Sequence, residues 1–463
     1  MKILILLLLI TISIAHASTS RQIYKDVVLG EIQATFVRDY NVSQQYFGPV
    51  QKGPTKKIVK KKELPNLKPE PNLSPTPDLS PRPKRRIKRG LIGLDDEDDE
   101  NDGWLGKKGK GKKKKGLIED NDFTPEPIKL NKRTVKGIIQ PNKNITPKRN
   151  DWTSKKLRDL NKWQKTSKEE TNKWYQDKAK ILNRWKKANK VFKKNLPSYK
   201  KNLVNFESFG GHSLNGDRSN TLNTTVVGKN FVTIPHAFFS NVNDQGRRPT
   251  CAAFAATRAL EISLAQNGTE RKLSEQYFYY ASKPRCQSSP CSKKGSWALN
   301  AFNKSKSSLI PDLPLEKDCP YKKQSKSGNE TQVPLRNGCF QGQHKVTKFT
   351  KAQSLMAIIK QLDNGAPIVS AFKLSPNFYS NKGVVLYKDS RKSEKMNSHA
   401  SGHAVLLIGY MKIPKSLNEG NICFLTANSW GTGWGKGGHA CLSEKWVKNY
   451  RFPIPFLAVN SVR

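Results

Sequence analysis

The C-terminal half of the sequence predicts an α+β domain, preceded by a long and largely disordered N-terminal region. Composition is the first reason. The 463 residues carry 83 Lys+Arg against 37 Asp+Glu, a formal charge of +46, with 27 prolines and only 35% hydrophobic residues. A chain this polar is not packed throughout, because such segments do not bury enough apolar surface to offset the entropy of ordering. Periodicity is the second reason: from about residue 228 onward, helical and strand patterns replace the charge blocks, helices first and strands after. The cysteines are the third, since all seven (251, 286, 291, 319, 339, 423 and 441) lie in that half. About 235 residues are enough for one domain with a sizeable core.

The elements follow in order. Residues 1–17 read as a secretory signal peptide: Met1-Lys2, an apolar run from Ile3 to Ile14, and the small-x-small site Ala15-His16-Ala17. Secretion, extracellular or into a periplasmic or lumenal compartment, places the cysteines where disulfides form. Residues 18–149 read as a charged, Pro-rich and mostly disordered lead-in, with one or two strands expected in its modestly apolar start (Ile23 to Val37). Its basic run Lys107 to Lys115 offers an anionic surface a partner, while the acidic run Asp95 to Glu100 screens that charge. A specific nucleic-acid site is not expected. No later stretch reaches the 18 consecutive apolar residues of a membrane span, so no transmembrane segment is expected.

Residues 150–207 contain an internal repeat, Asn-x-Trp ending at Trp152, Trp163, Trp174 and Trp185. A spacing of 11 residues is three turns at 3.67 per turn, so the four indoles fall on one stripe of a nearly straight helix. A polar helix with such a stripe needs a surface to dock on: its own C-terminal domain, a second copy, or a ligand. Residues 208–227, with Gly210-Gly211, read as a linker, and residues 228–463 as the packed domain.

Within that domain Cys251 opens an alanine-rich stretch that stops at Asn267-Gly268. A thiol at a helix N-terminus sees the positive end of the macrodipole, which favours thiolate. Gln245 stands six residues upstream. Leu273-Ser274-Glu275-Gln276, Ser401-Gly402-His403-Ala404-Val405 and Asn428-Ser429-Trp430-Gly431-Thr432-Gly433-Trp434-Gly435 follow in that order. In types, spacing and order these segments resemble the papain-like cysteine peptidases, over about half the chain. The resemblance implies a two-lobed fold, helical lobe plus antiparallel barrel-like lobe, with the site in the cleft between them. It implies a cysteine peptidase working through an acyl-enzyme on a protein or peptide substrate, without cofactor or metal and monomeric when mature. Cys251 would be the nucleophile, His403 the base and acid, Asn428 the group orienting the ring, and Gln245 the oxyanion donor. Trp430 would shield the His–Asn bond.

His399 and His439 are rivals for the base, but His399 lies in a Ser/Asn-rich loop, whereas His403 opens an apolar strand. The chain departs from the family at Arg248-Pro249-Thr250-Cys251-Ala252, where Cys-Gly-Ser-Cys-Trp is usual, so the upstream half-cystine is missing. It departs again at Lys293-Lys294, unless Gly295 takes the place of the substrate-ledge glycine. With Cys251 free, the expected bonds are Cys286–Cys291, Cys319–Cys339 and Cys423–Cys441. Residues 150–207 sit where the family carries a pro-segment, so a proenzyme is expected, with the Trp stripe as the docking face. Two other readings stand beside this one: a peptidase-like domain acting as a surface or cell-wall binding protein, and an acyl-transferase on the same fold.

Overall fold

A computed structural model describes residues 2–43, 46, 151–206, 229–240, 242–283, 294–306, 312–323, 337–390 and 401–463. Residues 1–57 and 156–463 form one compact unit, and residues 58–155 are a second that lies largely outside the described residues. The pair Cys286–Cys291 and the rival His399 also lie outside them.

Two long helices precede the domain, α1 (Lys2–Tyr40) and α2 (Asp151–Lys201). After strand β1 (Phe231–Thr233) comes α3 (Cys251–Gln266), buried from Cys251 through Ala265. A helix buried on all faces belongs at the centre of a fold, and here the small Ala252, Ala253, Ala255, Ala256 and Ala259 let sheet and helices approach it from every side. Helices α4 (Glu275–Ala281) and α5 (Ala298–Lys306) pack beside it. Ser274 caps α4 by accepting from the Tyr277 amide at 3.0 Å, which explains why Leu-Ser-Glu starts a helix.

The second lobe follows: β2 (Val346–Ala352), α6 (Leu355–Asp363), β3 (Ile368–Lys373), α7 (Pro376–Ser380), β4 (Val384–Val385), α8 (Tyr387–Ser390), β5 (Gly402–Lys412), β6 (Ile422–Ala427), β7 (His439–Ser443), α9 (Glu444–Tyr450) and β8 (Phe456–Val462). The sheet order is β2-β8-β3-β5-β6-β7-β4, with β1 added on β5. Among the described residues the expected antiparallel pairing holds for every strand pair except β4 with β7, which run parallel. Register places the site: Phe372 pairs with His403 across β3 and β5, and Leu406 with Ala427 across β5 and β6. Asn428, one residue past β6, is thereby carried alongside the start of β5. The bond Cys423–Cys441 staples β6 to β7, and Cys319–Cys339 closes the loop before β2.

Two sequence expectations are corrected. Residues 18–40 are helix, not strand and not disordered, and Val27, Val28, Leu29, Ile32 and Phe36 are core residues. Tyr24, Val28, Ile32, Phe36 and Tyr40 recur every fourth residue, a helical stripe that outweighs the β-branched content that suggested strands. The Trp stripe of α2 docks over only part of its length. Trp185 is buried and Trp174 half-buried, but Trp163 is 38% exposed. The stripe continues towards the C-terminus as Phe192 and Tyr199, both buried, in steps of seven from Trp185. The helix also runs past Leu196 through Pro197 to Lys201.

Candidate active site

Cys251 is the first residue of α3 and is fully buried, with the backbone of Ala404 and Ala252 near enough to favour its thiolate. Ala404 follows His403 on β5, the strand that packs against α3. His403 Nε2 lies 2.6 Å from Asn428 Oδ1, an arrangement that makes Nε2 the protonated nitrogen and leaves Nδ1 as the basic one. The Trp430 ring lies 4.3 Å from the imidazole, centroid to centroid and tilted by 33°. Phe378 closes a second side of His403. The structure thus brings His403, Asn428 and Trp430 together, with Cys251 buried at the start of α3 next to the strand that carries His403. His439 sits elsewhere, its Nδ1 on the Gly437 carbonyl at 3.0 Å.

Gln245 is pinned on both ends of its amide. Its Nε2 donates to the Arg248 carbonyl at 2.8 Å, and its Oε1 accepts from the Ser429 hydroxyl at 2.6 Å. Backbone bonding from Gln245 N to Ser429 O, at 2.8 Å, ties the two strands of chain that carry the site. Nε2 carries a second hydrogen besides the one given to the Arg248 carbonyl. Gly295 has a φ of 77°, and a Cβ there would lie 2.4 Å from Val204 Cγ1. Gly295 is therefore a glycine whose missing Cβ lets the chain at Val204 lie close.

Arg248 stands where the family usually has a half-cystine, and its side chain does the bracing. It is fully buried, donates Nη1 to Gln276 Oε1 at 2.7 Å and to the Lys322 carbonyl at 2.9 Å, and lies over the rings of Tyr279 and Tyr321. The Tyr321 hydroxyl in turn donates to the Gln245 carbonyl at 2.8 Å. Sequence reading marked Arg248 as a departure without giving it this role. It also missed Ser429, although a hydroxyl next to the orienting Asn is a signal.

A second set of residues was missed because it lies before the domain. Tyr199 stacks on Trp430 at 5.0 Å and 16°, with Phe192 stacked on both. The Tyr199 hydroxyl donates to Asp244 Oδ1 at 2.9 Å. Val204 then exchanges two backbone hydrogen bonds with Gly402, at 2.8 and 2.7 Å, and Phe206 packs edge-on against Trp297 and Phe452. The chain from 199 to 206 therefore lies across the site. Cys251 is 0% and His403 1% exposed beneath it. Burial pushes the Cys251 thiol up to about 12, against the pull of its amide donors. Burial likewise lowers His403 to about 4, against the Asn428 bond. Near neutral pH both groups are uncharged in this state.

Behind Asn428 and Ser429 a small cavity is lined by Asn243, Glu261, Lys272 and Glu275. Burial and the neighbouring Glu316 carboxylate push Glu275 up to about 7. A folded-state value above the unfolded one means the native protein binds the extra proton, so this group favours folding at low pH and disfavours it as pH climbs from about 4.5 to about 7. Glu275→Gln is expected to remove up to about 3 kcal/mol of that pH-dependent loss. Urea melts at pH 5 and pH 8 check it: the two proteins differ little at pH 5, and the variant is the more stable at pH 8.

Comparison with known proteins comes in three forms. The sequence profile described as papain family cysteine protease matches residues 232–451. Gamete and mating-type specific protein A of Dictyostelium discoideum is 30% identical over 199 residues, 43% of this chain and 39% of that protein. A cysteine protease of Blomia tropicalis is 27% identical over 46% of this chain and 60% of its own length. The chain thus spans less than two thirds of these relatives. Among solved structures, xylellain, a cysteine protease from Xylella fastidiosa, superposes with a TM-score of 0.41 at 20% identity, covering 51% of this chain and 87% of that one.

Proposed function

We propose, from the premise that residues 232–451 belong to the papain family of cysteine proteases, that this chain is a secreted thiol peptidase made as a latent proenzyme. The observation that carries the reading is the His403–Asn428 pair beside Cys251, complete but covered by residues 199–206. Once uncovered, water and the α3 dipole stabilise charge again, and a proton passes from the thiol to His403 Nδ1. The thiolate attacks a peptide carbonyl, forming the C–S bond as the carbonyl electrons move to oxygen. The Gln245 N–H and the Cys251 amide receive that oxyanion. His403 then protonates the leaving amine as the C–N bond breaks, and water, deprotonated by the same ring, hydrolyses the thioester. Secretion is supported by the apolar run Ile3 to Ile14 with Ala15-His16-Ala17 and by the two disulfides.

Alkylation tests the covered thiol. Iodoacetamide is expected to modify Cys251 roughly 100-fold more slowly in the intact chain than after removal of residues 1–227, since the reagent attacks thiolate. Peptide mapping gives the rate. Equal rates would remove the case for latency, and no peptide hydrolysis by the uncovered domain would remove the case for a peptidase.

A further inference from the structure

Helix α1 is connected to α2 only through residues 41–150, yet one face of it is core. Val27, Val28, Leu29, Ile32 and Phe36 are at most 3% exposed. Against the catalytic domain, the Tyr24 hydroxyl donates to the Gly437 carbonyl at 2.8 Å, Thr35 Oγ1 to the Lys382 carbonyl at 3.0 Å, and the Tyr40 hydroxyl to Asp389 at 2.8 Å. Arg21 pairs with Glu270. Against α2, the Tyr24 ring meets Trp185 edge-on at 6.1 Å. Glu31 joins all three segments, with one oxygen 3.1 Å from Lys178 of α2 and the other 3.4 Å from Lys436. Gly437 is their meeting point, where a Cβ would lie 2.4 Å from Trp185 and 2.9 Å from the Tyr24 hydroxyl.

Helix α1 is therefore a wedge seated against both α2 and the glycine-rich loop that follows Trp430. Every contact named here is made by residues 21–40, and a covalent connection adds effective concentration to them. Resting on the latency reading above, we propose that residues 18–48 form an inhibitory chain that stays bound non-covalently after the connection is cut. Cleavage between residues 49 and 150 then leaves a latent two-chain complex, and α1 must leave before α2 releases the cleft.

The test uses the full chain carrying one site for a sequence-specific protease within Lys107 to Lys115, with Cys251→Ser to prevent self-cleavage. After cutting, the N-terminal fragment is expected to co-elute one-to-one with the C-terminal chain in size-exclusion chromatography at low micromolar concentration. Separate elution would overturn the proposal. This readout needs no catalysis, so it decides the binding claim even if the peptidase reading fails. In the same chain with Cys251 intact, cutting is expected to change peptide hydrolysis by less than twofold. Cutting a Val28→Asp, Ile32→Asp variant is expected to raise it at least tenfold, and added synthetic 18–48 segment to restore inhibition, which also shows that the variant is folded. Full activity of the cut protein while the fragment stays bound would overturn the inhibitory role.

Discussion

Cys251→Ala is expected to lower hydrolysis of a peptide substrate by the uncovered domain by roughly 10⁴- to 10⁶-fold, because nucleophile and base act as a unit. What remains is the contribution of binding and the oxyanion donors. His403→Ala should cost about as much, and the double variant little more than either. Asn428→Ala should cost less, since Trp430 and Phe378 still hold the imidazole on two sides. The change at 251 removes one buried sulfur and fills its place with a methyl, so thermal unfolding should move by only a few degrees. The measurement is kcat/KM alongside a melt for each variant. A Cys251→Ala domain that keeps a tenth of the parent rate would show that some other group performs the attack.

The second large effect concerns the cap. Tyr199→Ala in the full-length chain removes the stack on Trp430, the bond to Asp244 and a fully buried aromatic ring. Deleting such a ring costs about 3–5 kcal/mol. Trp430 and Asp244 keep their places in the uncovered domain, so most of the cost falls on the capped state. The open population should then rise by about two orders of magnitude, and basal hydrolysis with it. Phe192→Ala should act in the same direction. Trp163→Ala should do nothing measurable, because that indole is exposed. Residues 150–227 supplied in trans to the uncovered domain should inhibit it, and the Tyr199→Ala form of that segment should do so far more weakly. Equal inhibition by both forms would place the grip elsewhere on α2.

The difference between Trp163 and Tyr199 shows what a sequence tells and what it withholds. The pairing of His403 with Asn428 and Trp430 was legible because each sits in a short segment whose local chemistry is distinctive, and order along the chain did the rest. The helices after Cys251, Ser274 and Ser354 were legible through apolar period and caps. The reach of the Trp stripe was not, since an 11-residue repeat sets a face and says nothing of how far the partner surface extends. Residues 18–40 were misread for a related reason: their side chains find partners only far downstream, in α2 and in the domain after it, beyond any local window. The hydrogen bond between Ser429 and Gln245 spans 184 residues and has no local signature either.

Arg248 has a consequence for the chemical conditions under which the site survives. Its guanidinium holds Gln276, the Lys322 carbonyl and, through Tyr321, the backbone of Gln245, a task for which an S–S bond is the usual device. Once uncovered and ionised, a thiol is open to oxidation to sulfenic acid, and reductant is what restores it. Wherever a disulfide braces the nucleophile's own loop, the reductant that rescues the thiol also threatens its support. Here the two are uncoupled. Hydrogen bonds and aromatic faces are indifferent to redox potential, and the half-cystines 319, 339, 423 and 441 are each at most 2% exposed, out of reach of an attacking thiolate. The loop that presents Cys251 therefore tolerates a reducing environment strong enough to keep its sulfur alive.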